Sequence, residues 1–267
     1  MISTPHFTFD DGLTHGLVGP NGIGKTTLLR KIAGQLGGSG IKVDGEKPFD
    51  NEKVLNTVVL MGIDNPLPEG WNVKKVFTVA GLRWPSWDQN RAEELVERFE
   101  LPMKNYSGLS RGQKSAASFI VAVASGVPYM LLDEPYLGLD AAKREVFYDV
   151  LREEHGRTII VSTHHLNELS GLLDTVALMG ENPLSGPIDE FIEGVVQLTG
   201  PAEALDRALG RLQLPVLERE SSAVADRALV DARPNHTANV FDMAQEMGLR
   251  ATEVSLEQAV LALGETR

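Results

Sequence analysis

A glycine-rich run between a predicted strand and a predicted helix constrains this fold more than any other feature. Residues 19–26 read Gly-Pro-Asn-Gly-Ile-Gly-Lys-Thr and fit the pattern G-x-x-x-x-G-K-[ST]. Apolar residues 13–18 precede this run, and residues 26–33 continue it as an amphipathic helix. Glycines let the backbone wrap around a phosphate chain, and a helix N-terminus adds partial positive charge. The run predicts an α/β fold with a phosphate site; the alternative is an ordinary glycine turn before a helix.

Individual side chains of this run, called the phosphate loop below, have predicted roles. Lys25 is expected to reach the β- and γ-phosphates of a nucleotide and to act in its hydrolysis, and Thr26 is expected to ligate Mg²⁺. The candidate nucleotide-binding residues of the loop are Gly19, Pro20, Asn21, Gly22, Gly24, Lys25, Thr26 and Thr27.

An acidic pair at the end of a second apolar run supplies the matching carboxylates. Residues 129–132 predict a buried strand, and Asp133 and Glu134 follow it directly, at the strand edge where α/β sheets bind ligands. Asp133 is expected to hold Mg²⁺ directly or through water. Glu134 is the candidate general base that polarises the attacking water. The alternative is a pair of solvated carboxylates at a strand end.

Strand-like and helical runs alternate through the first two-thirds of the chain. Several strand-like runs are almost continuously apolar, as expected for strands covered by helices on both faces. Helical signals dominate residues 66–126, and the spacing of Ser86 and Gln89 predicts a capping box that opens a helix running to Glu100. We therefore predict a P-loop NTPase core, residues 1–190, with a helical insertion at about 66–126. The predicted strands of the core are residues 13–18, 57–61, 129–133, 158–162 and 175–179.

The pattern changes after Pro187, and residues 191–267 predict a small α+β domain. The order of elements is β-α-β-β-α-β with a terminal helix, which is typical of a split βαβ domain. Pro201 is placed at the first position of its helix, and Ser255 caps the last one. The predicted strands are residues 195–199, 216–220, 228–232 and 249–254, and the predicted helices are residues 201–212 and 236–247.

Charge and composition disfavour several classes of function. The formal net charge of −12 repels nucleic acids and anionic membrane surfaces. There is no cysteine, so disulfides and thiolate metal sites are excluded. Residues 115–132 carry no charge over a length that could span a bilayer, yet Pro128 interrupts them and favours a buried helix, a turn and a buried strand. Residues 1–12 have no secretory pattern, so a cytosolic chain is expected.

Three further segments, in order, resemble motifs of ATP-binding cassette (ABC) transporter subunits. Residues 109–113, Leu-Ser-Arg-Gly-Gln, are similar to the family signature LSGGQ with Arg111 in place of one glycine. Residues 137–140, Leu-Gly-Leu-Asp, resemble the D-loop, and residues 162–164, Ser-Thr-His, resemble the switch-histidine segment. With the phosphate loop and the acidic pair, the resemblance covers about residues 13–180.

The resemblance implies an ATPase in which two subunits enclose two MgATP molecules. Ser110 and Gln113 have the spacing of a capping box, so the signature segment predicts a helix N-terminus with free amides. In the family, that terminus, here Ser110, Gly112 and Gln113, is offered to the γ-phosphate bound by the other subunit. His164 would hydrogen-bond the γ-phosphate or the attacking water, whereas strand alternation would turn His165 the other way.

Other positions leave two interpretations open or depart from the family. Asp140 would contact the partner subunit, and it also fits as the N-cap of the following helix. Asp64 stands where the family carries a glutamine; it is a candidate metal ligand, and a surface-loop aspartate is an equal alternative. The family's adenine-stacking aromatic lies further upstream. His6, Phe7 and Phe9 could substitute, but the alternation of Phe7 and Phe9 favours packing into the core.

The predicted function is an ATP-hydrolysing subunit that powers a separate transmembrane permease. The subunit is expected to lie peripherally on the inner face of the cell membrane, bound to the permease, and to pair with a second ATP-binding subunit. Residues 139–140, 162–168 and 255–261 are more similar to efflux-type subunits than to importers, which favours export. One alternative is a soluble ABC ATPase that has no transport role and acts as an assembly factor. Another is a regulatory subunit that binds ATP and barely hydrolyses it, suggested by Asp64 and the short N-terminus.

Overall fold

The chain folds into two units in a computed structural model, which describes residues 1–62, 67–222, 224–233 and 237–265. The first unit comprises residues 1–164 and 171–177, and the second comprises residues 165–170 and 178–267. The elements that lie wholly or mainly in the first unit are β1 (Ile2–Ser3), β2 (Thr8–Phe9), β3 (Thr14–Val18), α1 (Lys25–Ile32), β4 (Lys42–Val43), α2 (Glu52–Leu55), β5 (Val58–Gly62), α3 (Val73–Arg83), α4 (Gln89–Arg98), α5 (Arg111–Ala124), β6 (Tyr129–Asp133), α6 (Ala141–Glu153), β7 (Thr158–Ser162) and β8 (Thr175–Leu178).

The predicted apolar strands form the central sheet, in the order β5-β6-β7-β3-β8. Strands β5, β6, β7 and β3 are parallel neighbours, and every residue of β5, β6 and β7 is buried. The register pairs Gly62 with Asp133 and Asp133 with Ser162. Because these strands run in one direction, the segments that follow β3, β6 and β7 meet at one edge of the sheet. The α/β prediction and its strands are confirmed.

A small antiparallel sheet, in the order β2-β1-β4, combines β1 and β2, which precede the phosphate loop, with β4, which follows it. Phe7 and Phe9 are both buried, and their rings contact each other at a centroid distance of 6.3 Å. Phe9 also packs edge-on against His15 of β3. The interpretation of these phenylalanines as core residues is confirmed, whereas the side chain of His6 is exposed.

The helical insertion contains α3, α4 and α5 with a 3₁₀ turn at Tyr106–Gly108. The predicted cap of α4 is wrong by two residues. Asp88, not Ser86, is the N-cap, and its carboxylate accepts a hydrogen bond from the Arg91 amide at 2.9 Å. Ser86 instead donates its hydroxyl to the Ser125 carbonyl at 2.6 Å. The N-cap is the residue directly before the first helical turn, and Asp88 directly precedes Gln89, where α4 begins.

Ion pairs connect the helical insertion to helix α6 of the core. Arg91 and Arg98 of α4 both bind Glu153 at the end of α6, at 2.7 and 2.8 Å. Hydrogen bonds from Arg98 and Arg91 lower the pKa of the Glu153 carboxyl to about 2. The insertion also carries the signature segment, so this contact helps to set where that segment lies relative to the sheet.

The uncharged stretch at residues 115–132 is a buried helix, a turn and a buried strand, as predicted. Helix α5 ends at Ala124 and β6 begins at Tyr129, with Gly126 in the left-handed region between them. Within the described residues, no helix combines the length and the apolar character needed to cross a membrane.

The second unit contains a split βαβ arrangement, as predicted. Its sheet has the order β11-β12-β10-β13, and each neighbouring pair is antiparallel. The core between sheet and helices includes Leu198, Leu205, Val230 and Val240. The elements of this unit are α7 (Leu166–Leu169), β9 (Leu184–Pro187), α8 (Ile188–Ile192), β10 (Val195–Gly200), α9 (Ala202–Leu212), β11 (Val216–Glu220), β12 (Asp226–Asp231), α10 (Thr237–Glu246), β13 (Arg250–Glu253) and α11 (Leu256–Glu265).

The predicted starts of three helices in this unit have different outcomes. Pro201 is the N-cap of α9 rather than its first helical residue, a shift of one position that its missing amide hydrogen tolerates equally well. His236, the predicted start of the next helix, lies outside the described residues. Ser255 caps α11 as predicted, accepting a hydrogen bond from the Gln258 amide at 3.3 Å.

Candidate nucleotide-binding site

The phosphate loop turns sharply between β3 and α1. Gly22 and Gly24 have φ values of 83° and 108°, in the region that residues with a Cβ rarely adopt. Gly24 is the N-cap of α1, and no side chain caps the helix there. The first amides of α1 are therefore directed towards the loop without a side-chain acceptor, which is the arrangement that binds anions.

Lys25 projects back into the loop. Its ammonium group donates to the Gly19 carbonyl at 2.7 Å and to the Pro20 carbonyl at 3.3 Å. Only 8% of the residue is exposed. The positive charge is thus held at the mouth of the loop, within reach of an anion bound by the amides.

Asp133 connects the acidic pair to the phosphate loop. The Thr26 hydroxyl donates to one carboxylate oxygen of Asp133 at 2.6 Å, and the Ser162 hydroxyl donates to the other. A hydroxyl oxygen and a carboxylate oxygen side by side suit Mg²⁺, which takes few protein ligands and keeps water and phosphate oxygens. The described residues contain no cluster of three or more His, Cys, Asp or Glu side chains arranged to hold a metal.

Glu134 lies beside Asp133 in a left-handed conformation with φ of 47°. One of its carboxylate oxygens accepts from Nδ1 of His164 at 2.9 Å. The other accepts from the Tyr136 hydroxyl at 3.0 Å. The glutamate is 17% exposed and the histidine 44% exposed, so both side chains face the open edge of the sheet.

The prediction that strand alternation turns His165 away from the side of His164 is wrong. Strand β7 ends at Ser162, so strand alternation does not extend to either histidine. Both residues are exposed, and His165 is the N-cap residue of α7. The contact with Glu134, not alternation, distinguishes His164.

The signature segment forms the predicted capping box at the start of α5. Ser110 accepts from the Gln113 amide at 3.2 Å, and the Gln113 side chain accepts from the Ser110 amide at 3.0 Å. Gly112 lies against the D-loop: a Cβ added there would be 2.2 Å from the Gly138 carbonyl oxygen. Ser115 donates its hydroxyl to the Leu137 carbonyl at 2.6 Å. The two motifs are therefore packed together within one chain.

Replacing Gly112 with alanine is expected to destabilise the chain by about 1–2 kcal/mol. Overpacking typically costs roughly 1–3 kcal/mol, and the better helix propensity of alanine returns less than about 1 kcal/mol. Urea unfolding measures the change. Gly108→Ala is the matched control, because its Cβ would meet only Lys104 side-chain carbons at 3.9 Å. Equal unfolding midpoints for Gly112→Ala and the wild type would contradict this packing.

Two other predicted positions have different outcomes. Asp140 is the N-cap of α6 and accepts from the Lys143 amide at 2.9 Å, so the capping interpretation is confirmed. Asp64, the third candidate metal ligand, lies outside the described residues.

Sequence reasoning missed two polar residues of the site, Ser162 and Tyr136. The sequence indicates Ser162 only as part of the histidine motif, yet it contacts Asp133 because the two residues are paired across β6 and β7. Ser162 and Asp133 each end a buried strand, but only the pairing of β6 with β7 brings them together. Tyr136 lies in the loop after β6, where no sequence periodicity indicates its partners.

Comparisons with known proteins match this geometry. The chain is 29% identical over 231 residues to the ABC transporter ATP-binding protein YtrB of Bacillus subtilis, covering 82% of this chain and 78% of that protein. It is also 29% identical over 235 residues to the daunorubicin/doxorubicin resistance ATP-binding protein DrrA of Streptomyces peucetius, covering 82% of this chain and 66% of that protein.

A solved structure of the ATP-binding subunit of an ABC transporter superposes with a TM-score of 0.61 at 22% identity, covering 71% of this chain and 89% of that one, which supports the fold. The family model for ABC transporters matches residues 2–137, half of the chain. The chain therefore belongs to the ABC transporter family, as an ATP-binding subunit with ATPase activity.

Proposed function

We propose that this subunit powers export through a separate transmembrane permease, lying peripherally against it at the cytoplasmic face of the cell membrane. ATP-binding subunits of this family work with permease partners. The observation that best supports ATP hydrolysis at this site is the pair of hydrogen bonds that join Thr26 to Asp133 and His164 to Glu134. The proposed direction, export, rests on the similarity of residues 139–140, 162–168 and 255–261 to efflux-type subunits, together with the similarity over 82% of the chain to the daunorubicin/doxorubicin resistance ATP-binding protein DrrA.

In the proposed reaction, MgATP is the substrate. The loop amides and Lys25 bind the β- and γ-phosphates, while Thr26 and Asp133 hold the Mg²⁺. Glu134 takes a proton from water as that water attacks the γ-phosphorus, and the bond to the β-phosphate oxygen breaks to leave ADP and phosphate. His164 orients Glu134 and faces the γ-phosphate. Asp64, at the family's glutamine position, is a further proposed Mg²⁺ ligand.

We further propose that two such subunits enclose two MgATP molecules. The N-terminus of α5, at Ser110, Gly112 and Gln113, would bind the γ-phosphate held by the partner through charge-assisted hydrogen bonds. Hydrolysis removes that phosphate and lets the pair reopen. The partner is a second copy of this chain or a close relative.

The permease is proposed to dock on the helical insertion, around residues 71–87. Leu82 of α3 is 83% exposed, and Met103 is 48% exposed. A groove of about 360 Å³ lies between α3 and α4, with Phe77 and Met103 among its lining residues. The exposed side chain of Leu82 on α3 and that of Met103 at the groove, on an otherwise acidic chain, favour a protein partner with an apolar surface.

Purification of the tagged full-length chain in mild detergent tests the proposed partnership. A polytopic membrane protein is expected to co-purify, and Leu82→Glu is expected to release it while leaving ATP hydrolysis by the isolated chain unchanged. Recovery of soluble partners alone would contradict the transport role and favour an assembly ATPase. With the complex in inside-out vesicles, ATP-driven uptake of cargo supports export, and ATP-driven efflux contradicts it.

A further inference from the structure

Tyr136 occupies a buried position directly beside the proposed general base. It lies two residues after Glu134 in the loop between β6 and α6, and only 2% of it is exposed. Its ring packs edge-on against Phe147 of α6, with centroids 6.4 Å apart. An aromatic side chain fixed in this way has few rotamers, so the position of its hydroxyl is set by packing.

The hydroxyl of Tyr136 connects two segments of the site. It donates to one carboxylate oxygen of Glu134 at 3.0 Å, and it hydrogen-bonds the hydroxyl of Thr163. Thr163 is fully buried, and its amide donates to the Leu17 carbonyl of β3 at 3.1 Å. The residue after Thr163 is His164, so this contact also fixes the start of the segment that carries the histidine.

Glu134 therefore has a partner on each carboxylate oxygen, His164 on one and Tyr136 on the other. A glutamate held at both oxygens retains little freedom about its last torsion, and the ordering is established before substrate arrives. Burial raises the pKa of the Tyr136 hydroxyl, and the adjacent Glu134 carboxylate raises it further. The hydroxyl thus remains protonated and can donate throughout the working pH range.

We infer that Tyr136 is a positioning residue for ATP hydrolysis: its hydroxyl orients Glu134 and ties it to the histidine segment through Thr163. The inference rests on the proposed role of Glu134 as general base. The hydrogen bonds and ring contacts given for Tyr136 join it to the proposed base, to Thr163 and to the rings of Phe147 and His164. Tyr136 should consequently affect turnover and not nucleotide affinity.

Tyr136→Phe removes only the hydroxyl and keeps the packed ring. We expect it to lower kcat for ATP by about 10- to 100-fold, because it deletes a hydrogen bond to a charged group, while KM for ATP changes less than about twofold. Thr163→Val should lower kcat in the same direction and by less, because Glu134 keeps its bond to Tyr136. Tyr148 of α6 is also buried and also packs on Phe147, so Tyr148→Phe is the matched control and should leave kcat unchanged.

A double-mutant cycle separates positioning from a structural role. In the Glu134→Gln background, adding Tyr136→Phe should leave the residual rate unchanged, because the base through which Tyr136 acts is gone. Equal losses in both backgrounds, a raised KM with unchanged kcat, or wild-type kcat in Tyr136→Phe would overturn the inference. If Tyr136→Phe proves unstable in thermal unfolding, Thr163→Val replaces it in the same cycle. A loss of kcat in the wild-type background and none in the Glu134→Gln background then supports positioning, and equal losses overturn it. Wild-type turnover in Glu134→Gln alone would instead refute the proposed role of Glu134.

Discussion

Replacing Glu134 with glutamine is expected to lower the steady-state rate of ATP hydrolysis by about 10²–10⁴-fold, the usual contribution of a general base. Glutamine keeps the size and a hydrogen-bonding oxygen of the side chain, but it cannot accept the proton of the attacking water. MgATP binding should persist, because the phosphate loop, Lys25 and Asp133 are untouched. Glu203→Gln, on an exposed turn of α9, is the matched control.

The same variant should reveal the proposed pairing of subunits. With hydrolysis blocked, the γ-phosphate bridge between signature segment and phosphate loop would persist, so gel filtration should show a dimer that depends on MgATP. Equal hydrolysis rates for Glu134→Gln and the wild type would remove Glu134 as base. A monomer that persists at millimolar MgATP would contradict the two-subunit arrangement.

Replacing Lys25 with alanine is expected to weaken MgATP binding by about 10²-fold or more and to abolish measurable hydrolysis. The ammonium lies inside the loop, 2.7 Å from the Gly19 carbonyl, where it would exchange that neutral partner for phosphate oxygens. Two lost charge-assisted hydrogen bonds correspond to about this change in affinity. Equilibrium dialysis with labelled ATP measures the affinity.

Lys31 provides the control for this prediction, since it lies in the last turn of the same helix, away from the phosphate loop. Lys31→Ala removes the same charge and should bind MgATP within about twofold of the wild type, because that charge lies roughly 9 Å further along the helix, about one Debye length from the loop. If both alanine variants bound ATP equally well, the proposed contact of Lys25 with the phosphates would be wrong.

Local sequence patterns predicted the parts of the fold that depend on neighbouring residues. The phosphate loop, the buried strand before Asp133 and the capping box of Ser110 each involve a few consecutive residues, and each is present. The split βαβ order of the second unit was also predictable, because short strand-like runs and the capping signals at Pro201 and Ser255 mark its strands and helices. The α4 cap was not, because Ser86 and Asp88 are both good caps and tertiary contact with Ser125 decides between them.

The polar contacts of the site depend on strands that are distant in sequence. Asp133 meets Ser162 because β6 and β7 are paired in register, 29 residues apart. The contacts of Glu134 with His164 and of Tyr136 with Thr163 join the same two segments. Periodicity indicates which residues are buried but not which strand lies beside another, so these partners required the structure.

Calorimetric titration of the folded, full-length chain with MgATP and with MgAMP tests the central claim most directly, which is that the glycine turn binds the terminal phosphates of a nucleotide. AMP presents the same base and sugar without the β- and γ-phosphates. The account predicts saturable MgATP binding and MgAMP binding at least about a hundredfold weaker, because AMP forgoes the charge-assisted contacts. Absence of MgATP binding, or equal affinity for the two nucleotides, would contradict it.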